Sequence, residues 1–183
     1  MTPDEIIDVV LGLDPLCDLP RTGWLLRGVP APESVAAHSY AVAVTAMLLV
    51  DELRAAGQAV DGELVLRMAL VHDTAEAATG DFPMPRKTPA LAAALGALEA
   101  GIAAELLPAP LLPVWSEAAA KASLEARIVA AADKIQMMIK VLVYEERRSA
   151  NLADFWAHEG NYRAMGLPLA EALFAAIRAR RRT

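Results

Sequence analysis

Residues 71–81, Val-His-Asp-Thr-Ala-Glu-Ala-Ala-Thr-Gly-Asp, hold four groups that can bind a metal or move a proton: His72, Asp73, Glu76 and Asp81. If the stretch ends a helix, His72 and Glu76 are four residues apart and Asp73 and Glu76 three, so Glu76 shares a face with both. His72 and Asp73 sit about 100° apart around the axis and can flank one ion from adjacent directions. Gly80 is a candidate stop that turns Asp81 back toward the others. The apolar run Met68-Ala69-Leu70-Val71 leads straight into these polar groups, a local conflict of the kind functional sites impose.

A divalent ion needs donors from more than one element. The chain has three histidines. His38, the pair His72-Asp73, and Asp133 form the candidate metal set. Imidazole and carboxylate without a thiolate favour Mn²⁺, Co²⁺, Fe²⁺, Ni²⁺ or Mg²⁺ and do not single out zinc. Asp133 lies among Ile128-Val129-Ala130-Ala131-Ala132 and Ile135, where an unpaired carboxylate would be costly. An arginine such as Arg127 or Arg67 could relieve it. With the histidines in the same chain, a metal is the preferred reading. His158 reads as an ordinary surface residue.

The elements that must position these groups are helical. The chain has 183 residues, 56% hydrophobic but only 5% aromatic, and its apolar content is mostly Ala and Leu, strong helix formers. The helices expected are 3–13, 35–56 capped by Ser34, one from Asp61 through the 71–81 stretch, 89–107, 115–121, 124–148 capped by Ser123, and 168–181. Proline-rich loops separate them, and 151–165 reads as a helical turn and loop. The expected fold is all-α, a single domain of roughly six to nine helices. A net charge of −6 and a pI near 5.1 give no broad basic surface for duplex nucleic acid. The single cysteine, Cys17, excludes an internal disulfide framework and fits a reducing compartment. Asp4, Glu5 and Asp8 stand where a basic leader would, and no stretch approaches about 18 uninterrupted apolar residues, so a cytoplasmic protein without a membrane partner is expected. A mean hydropathy of +0.34 suggests buried subunit contacts, hence a homodimer.

The ordered set His38, His72-Asp73, Asp133 resembles the HD-domain metal-dependent phosphohydrolases. Two flanking stretches narrow the likeness to the branch of 5′-deoxynucleotidases. One is Arg21-Thr22-Gly23-Trp24-Leu25-Leu26-Arg27-Gly28-Val29, continuing through Pro32-Glu33-Ser34-Val35 to His38-Ser39; the other is His72-Asp73-Thr74-Ala75-Glu76 with Gly80-Asp81-Phe82-Pro83. The resemblance covers about residues 5–160. It implies an HD-domain fold and removal of the 5′-phosphate from (deoxy)ribonucleoside monophosphates. His38, His72, Asp73 and Asp133 would hold the metal, Glu76 and Asp81 would face the attacking water, and Arg21 and Trp24 would meet the nucleotide. The family usually carries an acidic residue just before the first ligand. Here it is Ala37, which also removes a capping-box carboxylate opposite Ser34.

The chemistry follows from the residue types. A bound ion acidifies water and neutralises phosphoryl charge. Glu76 would orient the water or accept its proton, and Asp81 would assist or protonate the leaving 5′-oxygen. Arg21, Arg27 and Lys87 are candidates to clamp the phosphate. Two other readings remain at this point. A triphosphate or alarmone substrate would demand more cations than the chain offers. A non-catalytic, metal-stabilised scaffold would not need Glu76 and Asp81.

Overall fold

Ser34, Asp61, Thr88 and Ser123 each precede a helix. Their side-chain oxygens accept the backbone N–H three residues on, from Ala37 at 3.2 Å, Leu64 at 3.0 Å, Leu91 at 3.2 Å and Ala126 at 3.2 Å. Each satisfies a donor that the first helical turn leaves unpaired. In the computed structural model, which describes residues 1–83, 88–147 and 150–181, the helices in chain order are α1 (Pro3–Leu13), α2 (Pro15–Asp18), α3 (Thr22–Leu25), α4 (Val35–Ala55), α5 (Gly62–Val71), α6 (Glu76–Thr79), α7 (Pro89–Leu106), α8 (Leu112–Ala120), α9 (Leu124–Glu146), α10 (Ala153–Ala157) and α11 (Pro168–Ala179). A 3₁₀ turn spans Glu159–Tyr162. The fold is all-α. Seven helices of nine residues or more fall among the described residues, within the expected range; of the short ones, α2, α3 and α10 lie in segments read as loop or turn, and α6 in a segment expected to be helix.

The core forms where α4 packs against both α5 and α9, with α8 and α11 laid on α9. Val42, Ala46, Val65, Met68, Ile128, Ile135 and Met138 are almost fully removed from water. Alanines at helix crossings (Ala46, Ala69, Ala126, Ala131 and Ala132, none exposed) let the backbones approach closely. An isolated antiparallel bridge joins Pro20 to Ser34. Around it the Arg21 N–H donates to the Glu33 carbonyl at 3.0 Å and the Val35 N–H to the Leu19 carbonyl at 2.9 Å. That clip draws the loop carrying Arg21 onto the start of α4, and so close to His38.

Two expectations about the helices change. The helix expected to run from Asp61 through residue 80 stops at Val71, with His72 as its C-cap. Bonds of the i→i+3 kind, from Thr74 to Val71, Glu76 to Asp73 and Ala77 to Thr74, then carry the chain into α6. The His72 imidazole offers a reason: its Nδ1 lies 2.9 Å from the Ala69 carbonyl, the acceptor a continuing helix would give to the Asp73 N–H. Helix α8 begins at Leu112, because Pro113 falls in its first turn, where proline is tolerated. Helices α4 and α7 are each long and apolar enough to cross a membrane by length and composition alone. Helix α4 is a core helix, whereas α7 buries only Ala103.

Ile128 is fully enclosed on α9. Truncating it to alanine is expected to cost about 2–5 kcal/mol of stability, read as a lowered urea midpoint with an unchanged slope.

Candidate metal centre

His38 sits in the first turn of α4, His72 caps α5, Asp73 follows in the turn, and Asp133 lies midway along α9. The structure brings all four together. One ligand atom each from His38, His72 and Asp133 lies within 4.8 Å of the others. The His38 Nε2 is 3.4 Å from Asp133 Oδ1 and 3.7 Å from Asp73 Oδ2, and the His72 Nε2 is 3.2 Å from Asp73 Oδ2. Neither buried Nε2 has a hydrogen-bond partner among the described residues. For His72 the tautomer follows from geometry: Nδ1 faces a carbonyl, which only accepts, so Nδ1 carries the proton and Nε2 keeps its lone pair. Two imidazole lone pairs and two carboxylates turned toward one point form a donor set that fits a divalent cation.

The acids and bases of the cluster are also strongly coupled to one another. Burial alone would raise the Asp73 carboxyl pKa, but His72, Arg21 and His38 outweigh it and hold the group well below the usual carboxylate range. Asp133 is likewise lowered against its burial, by Lys134 and the two histidines. His72 is raised despite burial, chiefly by Asp73. The arginine partners weighed for Asp133 are engaged elsewhere: Arg127 donates to the Met165 carbonyl and Arg67 pairs with Glu63. The cation beside Asp133 is instead its chain neighbour Lys134, at 3.1 Å.

Arg21 joins the second group of residues to the first. Its Nη1 lies 3.0 Å from Asp81, 3.4 Å from Asp73 and 3.8 Å from Glu76, and these carboxylates raise its pKa against the effect of burial. Gly80, at φ 73, makes the turn that an L side chain would resist. Asp81 thereby returns to accept the Thr22 N–H at 2.6 Å. Glu76 is the first residue of α6, so it reaches the cluster from a new helix and not along the helical face expected from the sequence. Arg21, Asp73, Glu76 and Asp81 line a cavity of about 550 Å³, whose apolar lining includes Trp115, Ala118, Val129 and Met137.

The other expected substrate contacts are less free. Trp24 lines the cavity but is buried, stacked on Phe155 with centroids 4.6 Å apart, and its indole N–H donates to Glu33 at 3.2 Å. Arg27 also reaches the cavity, yet it is bound to Asp154 through Nε at 2.9 Å and Nη2 at 2.5 Å. Lys87 lies outside the described residues. Sequence reasoning passed over Gln136, whose Oε1 is 2.7 Å from His38 Nδ1, and the buried Glu33 behind it. A glutamine inside the apolar run Ile135 to Met138 was the available signal. His158, read as a surface residue, is exposed but lines the cavity.

A family model for the HD domain matches residues 13–167. The chain belongs to the HD-domain family. The HD protein is 33% identical over 145 residues to the human 5′-deoxynucleotidase HDDC2, covering 75% of this chain and 68% of that one. It is 35% identical over 150 residues to the Xenopus laevis protein of the same name, covering 75% and 69%. Its fold superimposes on the PH0347 protein of Pyrococcus horikoshii with a TM-score of 0.81 at 34% identity, covering 94% of this chain and 96% of that one.

Removing Asp133, as in Asp133→Ala, is expected to weaken Mn²⁺ binding by more than the roughly 10–100-fold that loss of an outer-sphere partner costs. Calorimetric titration checks it; unchanged affinity would exclude Asp133 from the ion's coordination.

Proposed function

We propose that this HD protein removes the phosphate from nucleoside 5′-monophosphates, deoxyribonucleotides first among them, with a divalent ion (Mn, Co, Fe, Ni or Mg) held by His38, His72, Asp73 and Asp133. One observation carries the reading. His72, Asp73, Asp133, Glu76 and Arg21 line one part of a cavity, and an apolar stretch from α8 and α9 (Trp115, Ala118, Val129 and Met137) lines another. A charged end suits a phosphate and an apolar end suits a nucleoside. The 5′-deoxynucleotidase activity named for the human and Xenopus relatives points the same way. A monophosphate fits better than a triphosphate or alarmone, because most cavity cations are committed, Lys121 being the exception. Arg27 is tied to Asp154, Lys134 to Asp133, and Arg21 is shared among three carboxylates.

When bound, the ion would lower the pKa of water and neutralise charge on the phosphoryl oxygens. The chain's task is positioning and electrostatics. Asp81, held by the Thr22 N–H, fixes Arg21, and Arg21 offers its guanidinium to the phosphate. Glu76 orients the attacking water and takes its proton. Asp81 would share in that proton traffic and relay a proton to the leaving 5′-oxygen. The Phe155–Trp24 stack forms a flat wall along the nucleoside's path.

A second copy of the chain is the partner that fits the exposed apolar surface. For 19.5 kDa, a folded monomer exposes about 8,500 Å², but this chain exposes 9914 Å². The excess exceeds the roughly 800 Å² that each partner of a standard interface buries. Tyr40, Val44, Met47 and Leu48 form an exposed stripe on α4 at i, i+4, i+7 and i+8, the spacing of a helix–helix seam. The acidic chain and free, exposed Cys17 accord with a cytoplasmic enzyme that has neither duplex nucleic acid nor a membrane as partner.

Glu76→Gln is expected to keep Mn²⁺ and lose about 10²–10⁴-fold in kcat; unchanged turnover would remove Glu76 from the mechanism. Phosphate release with Mn²⁺ or Co²⁺ should occur from nucleoside monophosphates and not from di- or triphosphates. Release from triphosphates would overturn the substrate class, and none under any metal would favour a scaffold. Leu48→Glu should convert a dimer to a monomer by light scattering; an unaltered mass would place the interface elsewhere.

A further inference from the structure

Buried directly behind His38 is a polar chain that the reaction itself does not use. His38 Nδ1 is 2.7 Å from Gln136 Oε1. Gln136 Nε2 donates to Glu33 Oε2 at 3.0 Å. Glu33 also receives the Trp24 indole N–H on Oε1 and the Lys140 ammonium, 3.2 Å away, on Oε2, while its own backbone N–H donates to the Tyr144 hydroxyl at 2.8 Å. His38, Gln136 and Glu33 are all buried. Asp133, Gln136 and Lys140 fall at i, i+3 and i+7 on α9, one stripe of that helix.

An amide can present either its oxygen or its NH₂ to a neighbouring imidazole. If Gln136 turned its NH₂ toward His38, Nδ1 would become the acceptor, Nε2 would carry the proton, and the lone pair aimed at Asp73 and Asp133 would vanish. Nothing in Gln136 itself forbids that flip. Glu33 forbids it: a carboxylate only accepts, so it claims the NH₂ and leaves Oε1 as the only atom Gln136 can offer His38. We infer that Glu33 is a positioning residue that acts through Gln136 to lock His38 in its Nδ1–H tautomer and keep Nε2 free for a cation. Trp24 and Lys140 hold the Glu33 carboxylate in the orientation this requires. The inference rests on the reading of His38 as a metal ligand, but the tautomer can be measured without metal.

The test uses the full chain labelled with ¹⁵N-histidine, of which there are only three, together with Mn²⁺ titration by calorimetry. In the metal-free parent, His38 should show a single tautomer protonated at Nδ1. Glu33→Gln places an amide that can donate or accept beside Gln136, so the Nε2–H form should appear and Mn²⁺ affinity fall about 10–100-fold. The exchange Glu33→Gln with Gln136→Glu reverses the two side chains at nearly constant volume. Residue 136 again offers His38 an acceptor-only group, and both the tautomer and the affinity should return. Recovery by the exchange is what a mere packing role could not give. A single Nδ1–H tautomer with parental affinity in Glu33→Gln, or no recovery in a folded exchange variant, would overturn the lock. Should Glu33→Gln not fold, Gln136→Glu alone should keep both readouts and Gln136→Met lose both; equal behaviour of these two would also overturn it. Absence of Mn²⁺ binding in the parent would refute the metal reading, while the spectra would still decide the tautomer.

Discussion

Like charge gathered in a buried wall is the constraint that organises this molecule. Asp73, Glu76 and Asp81 reach the cluster from the 71–81 stretch and Asp133 from α9, and Arg21 touches three of the four within 4 Å. Carboxylates so placed repel one another, and partly removing them from water costs more than the Arg21 guanidinium and the Lys134 ammonium return. The two buried imidazole Nε2 atoms, without hydrogen-bond partners among the described residues, face the same spot. A divalent cation would satisfy both demands at once, and by taking a share of Asp73 it would free Arg21 for a negatively charged ligand.

The helices are interrupted so that this crowding can occur. An unbroken helix from Asp61 would have carried Glu76 and Asp81 away along its axis at 1.5 Å per residue. Ending α5 at Val71 and starting α6 at Glu76 folds four functional groups into a compact corner, and the positive φ of Gly80 closes it. The Pro20–Ser34 bridge does the same for Arg21, which a loop alone would leave free to wander. The stiff parts of the site, His38 and Asp133, come from the most deeply packed pair of helices, where rotamers are held by the core.

Much of this was legible in the sequence, for reasons that are local. Caps such as Ser34 and Ser123 announce helices by short-range hydrogen bonds, and a histidine–aspartate pair amid apolar residues announces a conflict that only function explains. The helix stop at His72 was not legible, because it depends on an imidazole choosing a backbone carbonyl over solvent. Nor were the roles of Gln136 and Glu33, 103 residues apart, since no periodicity couples an amide on α9 to a loop carboxylate. Trp24 shows the limit from the other side. Its place in a flanking motif marked it as important, but whether its indole faced substrate or Glu33 was a question of three-dimensional packing.

That last point changes how the site's front and back should be understood. Trp24 touches both: its ring forms cavity wall against Phe155, and its N–H is spent on Glu33. The same residue therefore links the surface that a nucleoside would meet to the buried chain that ends at His38. Arg27 and Asp154 clamp Phe155's neighbourhood from outside, with the guanidinium 5.1 Å from the Phe155 ring centroid. Movement of that aromatic stack on filling of the cavity would be felt by Glu33 through a hydrogen bond rather than through the backbone. A rigid link of this kind favours a site assembled before substrate arrives, which is where the advantage of preorganised electrostatics lies.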